Sequence, residues 1–434
     1  MLLLTLYRGL TDLSAPLVHL LLLRRRARGK EDAHRLGERL GRPGRQRPAG
    51  PLVWVHGASV GEAVSLLPLI DRILVERPGI SVLCTTGTVT SAALMAERLP
   101  ARAVHQYVPV DRVACVRRFL DHWRPDLLLL AESEFWPNLL LETARCGVPM
   151  VLLNGRVSDA SFAAWRRYAR RPMRHLLGLF RLALAQSETD AARLRDLGAE
   201  PVACVGNLKF AVPEAPADPA ALDRLRAAVG ERPCWLALST HAGEESLVAR
   251  VHRTVAARVP GLLTLVMPRH AARGAAVRAD LEAAGVTVAQ RSAGAEPGPD
   301  TDVYLADTMG EVGLVARLAP VVLMGKSLLG EGGGQNPLEP ARLGAAVLFG
   351  PRMENFRDIS ARMVAAGAAR PVADEADLAE ALTDLLRDAA VRAALGARGQ
   401  AFAVGEAHVL DRVMEALAPV LDPLMAGGGD DARA

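Results

Sequence analysis

The stretch Val53-Trp54-Val55-His56-Gly57-Ala58-Ser59-Val60-Gly61-Glu62 indicates the fold class of this chain. An apolar run typical of a buried strand leads into a turn with two glycines, where a following helix can start close to the strand. Glu62 then falls in the first helical turn, at the edge of a sheet where open α/β folds bind ligands. Because a carboxylate there would repel a phosphate, the turn suggests a base aimed at a hydroxyl. An ordinary strand-to-helix connection, with Glu62 favoured by the helix dipole, explains the same residues equally well.

Short apolar runs alternate with helical patterns over the rest of the chain, which predicts an α/β fold with parallel sheets buried on both faces. The first set of predicted strands covers residues 52–55, 80–85, 127–131, 150–154, 182–186 and 202–205. The second set covers residues 235–239, 262–267, 286–289, 303–305, 321–324 and 345–349. Two doubly wound, Rossmann-like domains joined by a linker would leave a cleft between them.

The length of 434 residues suits two domains better than one compact core. We predict the following segments: a membrane anchor and basic arm at 1–30, an N-terminal Rossmann-like domain at 31–210, a Pro- and Ala-rich linker at 211–220, a C-terminal Rossmann-like domain at 221–405, a helix packing back on the first domain at 406–425, and a disordered tail at 426–434.

Composition excludes several classes of protein. Aromatic residues make up 4% of the chain, with no interleaving of basic and aromatic residues that would indicate stacking on nucleic acid. The five cysteines contain no C-x-x-C pair and each lies in or beside an apolar run. That pattern predicts buried, reduced thiols of a cytoplasmic protein, and neither a disulfide framework nor a zinc site.

The N-terminal segment combines an apolar run over residues 2–23 with a strongly basic stretch over residues 24–47. The charges follow the apolar run, whereas in a signal peptide they would precede it. Two interpretations remain open: a single membrane span, or a helix lying in the inner leaflet. Both place the globular part on the cytoplasmic face of the inner membrane, in contact with its lipid. A second basic surface, Trp165 to Arg171, is a candidate for the same headgroups, although a solvated helix face explains it as well.

Polar residues collect at the predicted carboxyl ends of strands in the second half, as expected of a ligand site. The first cluster is Ser239-Thr240-His241, leading into a helix that offers free N–H groups for an anion or, equally, a plain helix cap. The second is Pro268-Arg269-His270, in which an arginine can bind phosphate. The third is the loop Asp307-Thr308-Met309-Gly310-Glu311, which faces the same region.

The glycine-rich segment from Gly325 to Pro340 is the strongest of these signals. Glycines allow the backbone to wrap a ligand, and ordering so flexible a loop costs entropy. Asn336, Pro337 and Glu339 fit the cap, first and third positions of a helix. Glu339 is also suited to accept both hydroxyls of a ribose, and we favour this ligand role over capping alone.

Eight strings in this chain together resemble the Kdo transferases, which attach 3-deoxy-manno-octulosonic acid (Kdo) to the lipid A precursor. They occur in the family's order over nearly the whole chain, at residues 56–62, 132–138, 206–210, 239–245, 268–270, 307–311, 334–339 and 355–359. Gln335 departs from the pattern, because many members carry His there. Lys326 also departs from the pattern, because this segment often contains only small and apolar residues in the family.

The resemblance implies a GT-B glycosyltransferase that moves Kdo from CMP-Kdo to lipid IVA with inversion, using no metal or other cofactor. It also implies that the domain at 31–210 binds the acceptor and that the domain at 221–405 binds the CMP-sugar. Glu62 would be the general base, with Glu132 and Lys209 as transition-state stabilisers and Lys209 on the sugar carboxylate. Strand alternation points Glu132 and Glu134 the same way, and we favour Glu132. The implied nucleotide contacts are Pro268, Arg269, His270, Met309, Gly310, Glu311, Asn336, Pro337, Leu338 and Glu339. Further substrate contacts are expected at Ser59, Gly61, Glu134, Ser239, Thr240, His241 and Gln335.

Two alternatives share much of this pattern. A GT-B transferase that uses a UDP-sugar on another membrane lipid would keep the anchor and the ribose-binding Glu, but would need donors for a second phosphate. A membrane-tethered binding protein with an inactive transferase fold would lack a working base, and the presence of Glu62 argues against it.

Overall fold

The computed structural model describes residues 2–211, 215–330 and 333–426. It divides into two compact units, one from Met1–Val212 with Ala407–Ala434 and the other from Pro213–Glu406. The predicted linker therefore falls partly, and the predicted tail almost entirely, outside the described residues.

The first unit is built on a parallel sheet in the order β3-β2-β1-β4-β5-β6-β7. Its described strands are β1 Leu52–His56, β2 Ser81–Thr86, β3 Ala103–Tyr107, β4 Leu127–Ala131, β5 Met150–Gly155, β6 Leu182–Ala185 and β7 Val202–Cys204. Its described helices are α1 Leu2–Leu13, α2 Ala15–Ala27, α3 Leu36–Arg39, α4 Val60–Glu76, α5 Val89–Arg98, α6 Val113–Trp123, α7 Pro137–Arg145, α8 Asp159–Tyr168, α9 Arg170–Leu177 and α10 Glu188–Leu197. Every residue of β1 is buried, which explains why that strand is apolar without alternation.

The second unit repeats this architecture in the order β10-β11-β9-β8-β12-β13-β14. Its described strands are β8 Cys234–Thr240, β9 Leu263–Pro268, β10 Val288–Gln290, β11 Val303–Leu305, β12 Val321–Met324, β13 Ala346–Phe349 and β14 Arg370–Pro371. Its described helices are α11 Pro219–Val229, α12 Glu244–Ala256, α13 Gly274–Ala283, α14 Val312–Ala316, α15 Leu338–Arg342, α16 Arg357–Ala365, α17 Glu375–Arg387 and α18 Ala389–Ala407.

In the second sheet, β11 is inserted between β10 and β9. The strand order reverses between β1 and β4 in the first unit and between β8 and β12 in the second. Chain connections leave such neighbouring strands in opposite directions, so that a crevice opens at their carboxyl ends. The residues that follow β1, β4, β8 and β12 are therefore the first place to look for ligand-binding side chains.

The final helix, α19 Val409–Ala426, belongs to the first unit. Val413, Leu417 and Leu421 recur every four residues on one of its faces and are fully buried. They join the core cluster that includes Val53 and Val55 of β1. The end of the chain thus completes the core that its first strand begins.

Helix α1 is attached to the first unit through both apolar and polar contacts. Leu4 is buried in the core, and the Tyr7 hydroxyl donates to Asp111 at 2.9 Å. Arg8 pairs with the buried carboxylate of Glu142 on α7 at 2.5 Å. The segment predicted as an anchor at 1–30 is thus partly packed against α6 and α7.

Most of the other leucines of α1 and α2 are exposed to solvent. They are Leu2, Leu3, Leu6, Leu10, Leu13, Leu17, Leu20, Leu21 and Leu23. Within the described part of the chain, no helix has the length and apolar character needed to cross a membrane.

Only some of the basic side chains in the stretch over residues 24–47 are exposed to solvent. Arg39 is buried, donates to the Val108 carbonyl and lies 3.4 Å from Glu31. Arg47 donates to the Trp123 carbonyl at 2.7 Å. The basic side chains that stay exposed at the end of α2 and just after it are Arg24, Arg26, Arg28 and Lys30. The composition of the stretch could not separate these two groups.

The cysteines differ in part from the prediction. All five are free thiols, and Cys84, Cys115 and Cys234 are buried as expected. Cys204 is half-buried, and Cys146 is exposed. Cys146 lies directly after the last residue of α7, where the chain leaves the core, so its apolar neighbours in sequence do not bury it.

Candidate active site

Glu62 lies on the first turn of α4, directly after β1, as the sequence predicts. Its carboxylate accepts hydrogen bonds from the Ala58 N–H at 2.7 Å and from the Ser59 hydroxyl at 2.6 Å. Ser59 is the N-cap and accepts from the Glu62 N–H, so the pair forms a variant of the capping box. A carboxylate offers about four lone-pair positions. The two capping hydrogen bonds use two of these positions, and the others remain free to accept a proton from a ligand.

The two glycines of this turn have different roles. A Cβ at Gly57 would stand 2.8 Å from a Leu66 methyl and 3.2 Å from the Glu62 Cβ, so any larger residue there would displace Leu66 and crowd Glu62. A Cβ at Gly61 would meet nothing within 4 Å. Gly61 is therefore not needed for packing within the unit, and it leaves open space beside Glu62.

Glu132 and Lys209 form an ion pair. Glu132 directly follows β4, and its carboxylate accepts from the Lys209 ammonium at 2.7 Å. Lys209 lies in a 3-10 helix, Leu208–Ala211, after β7. Glu132 has a φ of +59°, a left-handed conformation that is strained for a residue with a Cβ. Two residues far apart in sequence thus meet at the strand-order reversal of the first sheet.

Glu134 faces the same cluster but with different partners. Its carboxylate accepts from the Trp136 indole N–H at 2.7 Å. Burial raises the pKa of Glu134, and the carboxylates of Glu62 and Glu132 raise it further. The predicted strand alternation of Glu132 and Glu134 is wrong, because β4 ends at Ala131 and both acids follow it. The ion pair with Lys209 now distinguishes Glu132 from Glu134.

In the second unit, Ser239, Thr240 and His241 end β8 and lead into α12. The Thr240 hydroxyl donates to the fully buried Glu245, which also pairs with Arg273 at 2.8 Å. Burial lowers the pKa of His241, and the positive charge of Lys326 lowers this pKa further, with a larger effect than any other nearby cation. The cations around His241 therefore disfavour its protonated form.

Arg269 and His270 follow β9 and are exposed, whereas Pro268 is the last, buried residue of the strand. The Arg269 N–H donates to the Thr240 carbonyl at 3.0 Å, which ties this loop to the end of β8. The rings of His241 and His270 meet edge to face with centroids 6.2 Å apart. Within the described residues, no carboxylate lies at salt-bridge distance from the Arg269 guanidinium.

The loop after β11 holds Asp307, Met309, Gly310 and Glu311. Met309 is 81% exposed, an unusual position for a large apolar side chain in a polar loop. The Glu311 carboxylate is held by Arg291, with both contacts at 2.5 Å. Arg291 was missed at the sequence level, because it is 20 residues away and lies in no recognisable motif.

The glycine-rich segment packs closely on the end of β12. A Cβ at Gly333 would stand 2.0 Å from the Lys326 carbonyl oxygen, so this position requires glycine. Gln335 contacts His241, with 3.3 Å between the Nε2 atoms. Glu331 and Gly332 of the same loop lie outside the described residues.

Helix α15 begins one residue later than predicted, with Pro337 as its N-cap and Glu339 as its second residue, so Asn336 lies just before the cap. The Asn336 side-chain oxygen accepts from the Leu338 N–H at 3.2 Å, and Pro337 precedes the helix. The Asn336 amide lies 3.5 Å from the Glu339 carboxylate, a weak contact that leaves Glu339 accessible. Leu338 is fully buried and its N–H donates to Asn336, so the structure places this predicted nucleotide contact in the core.

No group of three or more His, Cys, Asp or Glu side chains suited to a metal ion occurs in the part of the chain that the structure describes. That the reaction needs no metal or cofactor stays a prediction.

Comparison with known proteins decides the family. The family model described as "3-Deoxy-D-manno-octulosonic-acid transferase (kdotransferase)" matches residues 34–212. A 3-deoxy-D-manno-octulosonic acid transferase of Bordetella pertussis is 37% identical over 425 residues, which cover 93% of this chain and 96% of that protein. This chain belongs to the Kdo transferase family. The enzyme is therefore a glycosyltransferase, and the predicted relationship is confirmed.

Two further comparisons agree. A probable, mitochondrial 3-deoxy-D-manno-octulosonic acid transferase of Arabidopsis thaliana is 32% identical to this Kdo transferase over 88% of its chain and 87% of the relative. A putative UDP-N-acetylglucosamine 2-epimerase from Listeria monocytogenes superimposes with a TM-score of 0.59 at 14% identity, covering 86% of this chain and 98% of that one. The second likeness shows the fold alone, with parallel α/β sheets in two domains.

Proposed function

We propose that this Kdo transferase moves Kdo from CMP-Kdo to a lipid A precursor, lipid IVA, during lipopolysaccharide synthesis. The observation that carries the proposal is the acidic cluster at the strand-order reversal of the first sheet. It holds a carboxylate with spare proton-accepting capacity, Glu62, beside an ion pair of Glu132 and Lys209. A cluster of this kind suits the activation of a hydroxyl.

Glu62 acts as the general base in this proposal. It takes the proton of the acceptor's primary hydroxyl while that oxygen attacks the anomeric carbon of Kdo. The bond from the anomeric carbon to the phosphate oxygen breaks, CMP leaves with the electron pair, and the anomeric configuration inverts. The capping bonds from Ala58 and Ser59 hold the carboxylate in one orientation, which favours a defined proton transfer.

The second unit binds CMP-Kdo in this proposal. Arg269 offers an exposed guanidinium with no carboxylate at salt-bridge distance among the described residues, which suits the single phosphate of CMP. Glu339 and Asn336 accept and donate to the ribose hydroxyls. The loop from Met309 to Glu311 lies on the cytidine side, where Met309 supplies apolar contact and Arg291 keeps Glu311 fixed.

We also propose that the enzyme works at the inner membrane, with its globular part on the cytoplasmic face. The exposed leucines of α1 and α2 give an apolar surface, and Arg24, Arg26, Arg28 and Lys30 add positive charge where α2 ends. An apolar face beside basic residues suits an anionic lipid surface. An acceptor that resides in that membrane fits this location.

The decisive experiment is mass spectrometry of the lipid product after incubating the full-length enzyme with CMP-Kdo and the tetraacyl precursor. A mass gain of one or more Kdo residues is expected. An unchanged precursor, with activity instead on a UDP-sugar, would favour the alternative donor. Titration of the purified enzyme with CMP and with UDP distinguishes the two donors independently, because a UDP site must accommodate a second phosphate.

A further inference from the structure

Lysine is rare in this chain, and its positions are informative. Of the 52 basic residues only Lys30, Lys209 and Lys326 are lysines, and the other 49 are arginines. A lysine supplies a compact ammonium charge, whereas an arginine supplies a large planar group that lies along its partner. Lys30 is on the exposed basic surface, and Lys209 pairs with Glu132. Lys326 lies directly after β12, at the strand-order reversal of the second sheet.

The backbone at Lys326 is strained and tightly held. Its φ is +58°, a conformation that glycine or asparagine adopts at lower cost. The Lys326 N–H donates to the carboxylate of Glu244 at 2.8 Å, and the Lys326 carbonyl accepts from the Gly334 N–H at 2.7 Å. A lysine in such a position projects its side chain from a fixed point, so its charge is placed reproducibly.

The positive charge of the Lys326 side chain has no carboxylate partner in the part of the chain that the structure describes. The side chain is half-buried, and no carboxylate of the described residues lies at salt-bridge distance from its ammonium. Glu244, the carboxylate that holds its backbone, is occupied by the N–H groups of Lys326 and His241. His241 is the nearby side chain on which the Lys326 charge acts most clearly. Because Glu244 accepts from both backbones, Lys326 lies beside the turn that carries His241, whose ring contacts that of His270.

The charges of the donor call for two cations. CMP-Kdo has one negative charge on its phosphodiester and one on the carboxylate of the sugar acid. Arg269 suits the phosphate, and Lys209, the other candidate for the carboxylate, is neutralised by Glu132 at 2.7 Å. Resting on the proposed function, we propose that the Lys326 ammonium binds the carboxylate of the transferred sugar acid. Lys326 then selects donors that carry an acidic sugar.

The test compares binding of CMP with binding of CMP-Kdo by calorimetry, in the full-length wild type and in Lys326→Gln. The variant should bind CMP as the wild type does, but bind CMP-Kdo about tenfold or more weakly, because a charge-assisted contact is lost. Lys326→Arg should recover part of the loss. Arg278→Gln, which removes an exposed cation on α13, is the matched control and should bind both compounds normally.

Two results would overturn the assignment: equal weakening of CMP and CMP-Kdo, which would place Lys326 on the nucleotide, or unchanged binding of both. If the wild type binds UDP and neither CMP compound, the proposed function fails, and the role of Lys326 fails with it.

A second measurement needs no variant and covers the case in which Lys326→Gln does not fold. Reductive methylation of the wild type, followed by mass spectrometry, reports each of the three lysines separately. CMP-Kdo should protect Lys326 more strongly than CMP does. Equal protection by the two compounds, or none, would contradict the assignment.

Discussion

Glu62 combines a structural and a chemical role in one carboxylate. The same side chain caps α4 and, in the proposed mechanism, receives the acceptor's proton. From the sequence these two explanations were equally good, and the capping geometry alone does not exclude either. A substitution that keeps the cap but removes the base is therefore needed, and glutamine meets this requirement because it also serves in capping boxes.

Glu62→Gln should lower kcat by roughly two to four powers of ten, the range expected when a general base is lost, while CMP binding stays nearly unchanged. Asp190→Asn is a matched control. Asp190 occupies the same place in the cap of α10, where it accepts from the Ser187 hydroxyl at 2.6 Å and from the Val157 N–H at 2.7 Å. The control makes the same acid-to-amide change in an equivalent cap and should leave kcat unchanged. Full activity of Glu62→Gln would remove Glu62 from the mechanism.

Arg269→Ala should weaken CMP binding by about 1.5–3 kcal/mol, the usual worth of a hydrogen bond to a charged group. The Arg269 backbone N–H still donates to Thr240 in the variant, so the loop keeps its position. Calorimetric titration with CMP measures the change. Unaltered CMP affinity would show that another group meets the phosphate.

At the scale of elements, ion pairs around one buried carboxylate attach α1 to α7. The Glu142 side chain is 1% exposed and accepts from Arg8 of α1, Arg117 of α6 and Arg145 of α7. Burial alone would raise the pKa of Glu142, but the three arginines outweigh it and lower that pKa to about 2. The cluster therefore stabilises the folded state as long as Glu142 is ionised.

Glu142→Gln should lower the free energy of unfolding by about 1–3 kcal/mol at pH 7. Because the pKa of folded Glu142 lies below its ordinary value of 4.5, the wild-type advantage is complete above that value and is lost as the pH falls towards 2. Denaturant unfolding at several pH values measures this. Glu282→Gln removes an exposed pair with Arg278 and should cost about 0.5 kcal/mol or less. A difference that does not narrow in acid would contradict the role of the charge.

The sequence predicted twelve strands and missed two, for an identifiable reason. The missed strands, Ala103–Tyr107 and Arg370–Pro371, are at sheet edges beside β2 and β13. The first carries His105 and Gln106, and the second has only two residues. Interior strands are buried on both faces and stand out as apolar runs, whereas an edge strand has one neighbour and tolerates polar residues.

The candidate site was predictable where one motif supplies the geometry, and not where two distant segments meet. The position of Glu62 follows from local spacing, and so does the start of α15 to within one residue. The pairs Glu132–Lys209 and Glu311–Arg291 depend on which strand ends lie next to each other. Strand order is set by packing of the whole sheet, and single-sequence patterns do not encode it.

At the scale of the whole molecule, the exposed leucines of α1 and α2 predict how the enzyme distributes between water and lipid. A variant with Gln at Leu6, Leu10 and Leu17 should bind vesicles containing anionic lipid roughly tenfold or more weakly than the wild type. Each substitution removes apolar area that lipid could bury. These positions spare the docking contacts of Tyr7 and Arg8, which a deletion of residues 1–23 would also remove.

Co-sedimentation with vesicles measures this effect. The control replaces three exposed valines elsewhere, Val75, Val391 and Val404, by Gln, and should bind as the wild type does. Equal vesicle binding by the leucine variant would show that the N-terminal helices do not face lipid.

The position of α19 has a consequence for biosynthesis. The first unit begins at the start of the chain, but Val413, Leu417 and Leu421 of its core are made near the end. At about 5–20 residues per second, roughly 10–40 s of translation separate the last strand of the first sheet from these side chains. During that interval the apolar face that α19 will bury stays exposed on the nascent first unit, while the second unit is already emerging from the ribosome. A stop codon shortly before residue 409 should therefore leave a complete second unit attached to a first unit that aggregates or is degraded.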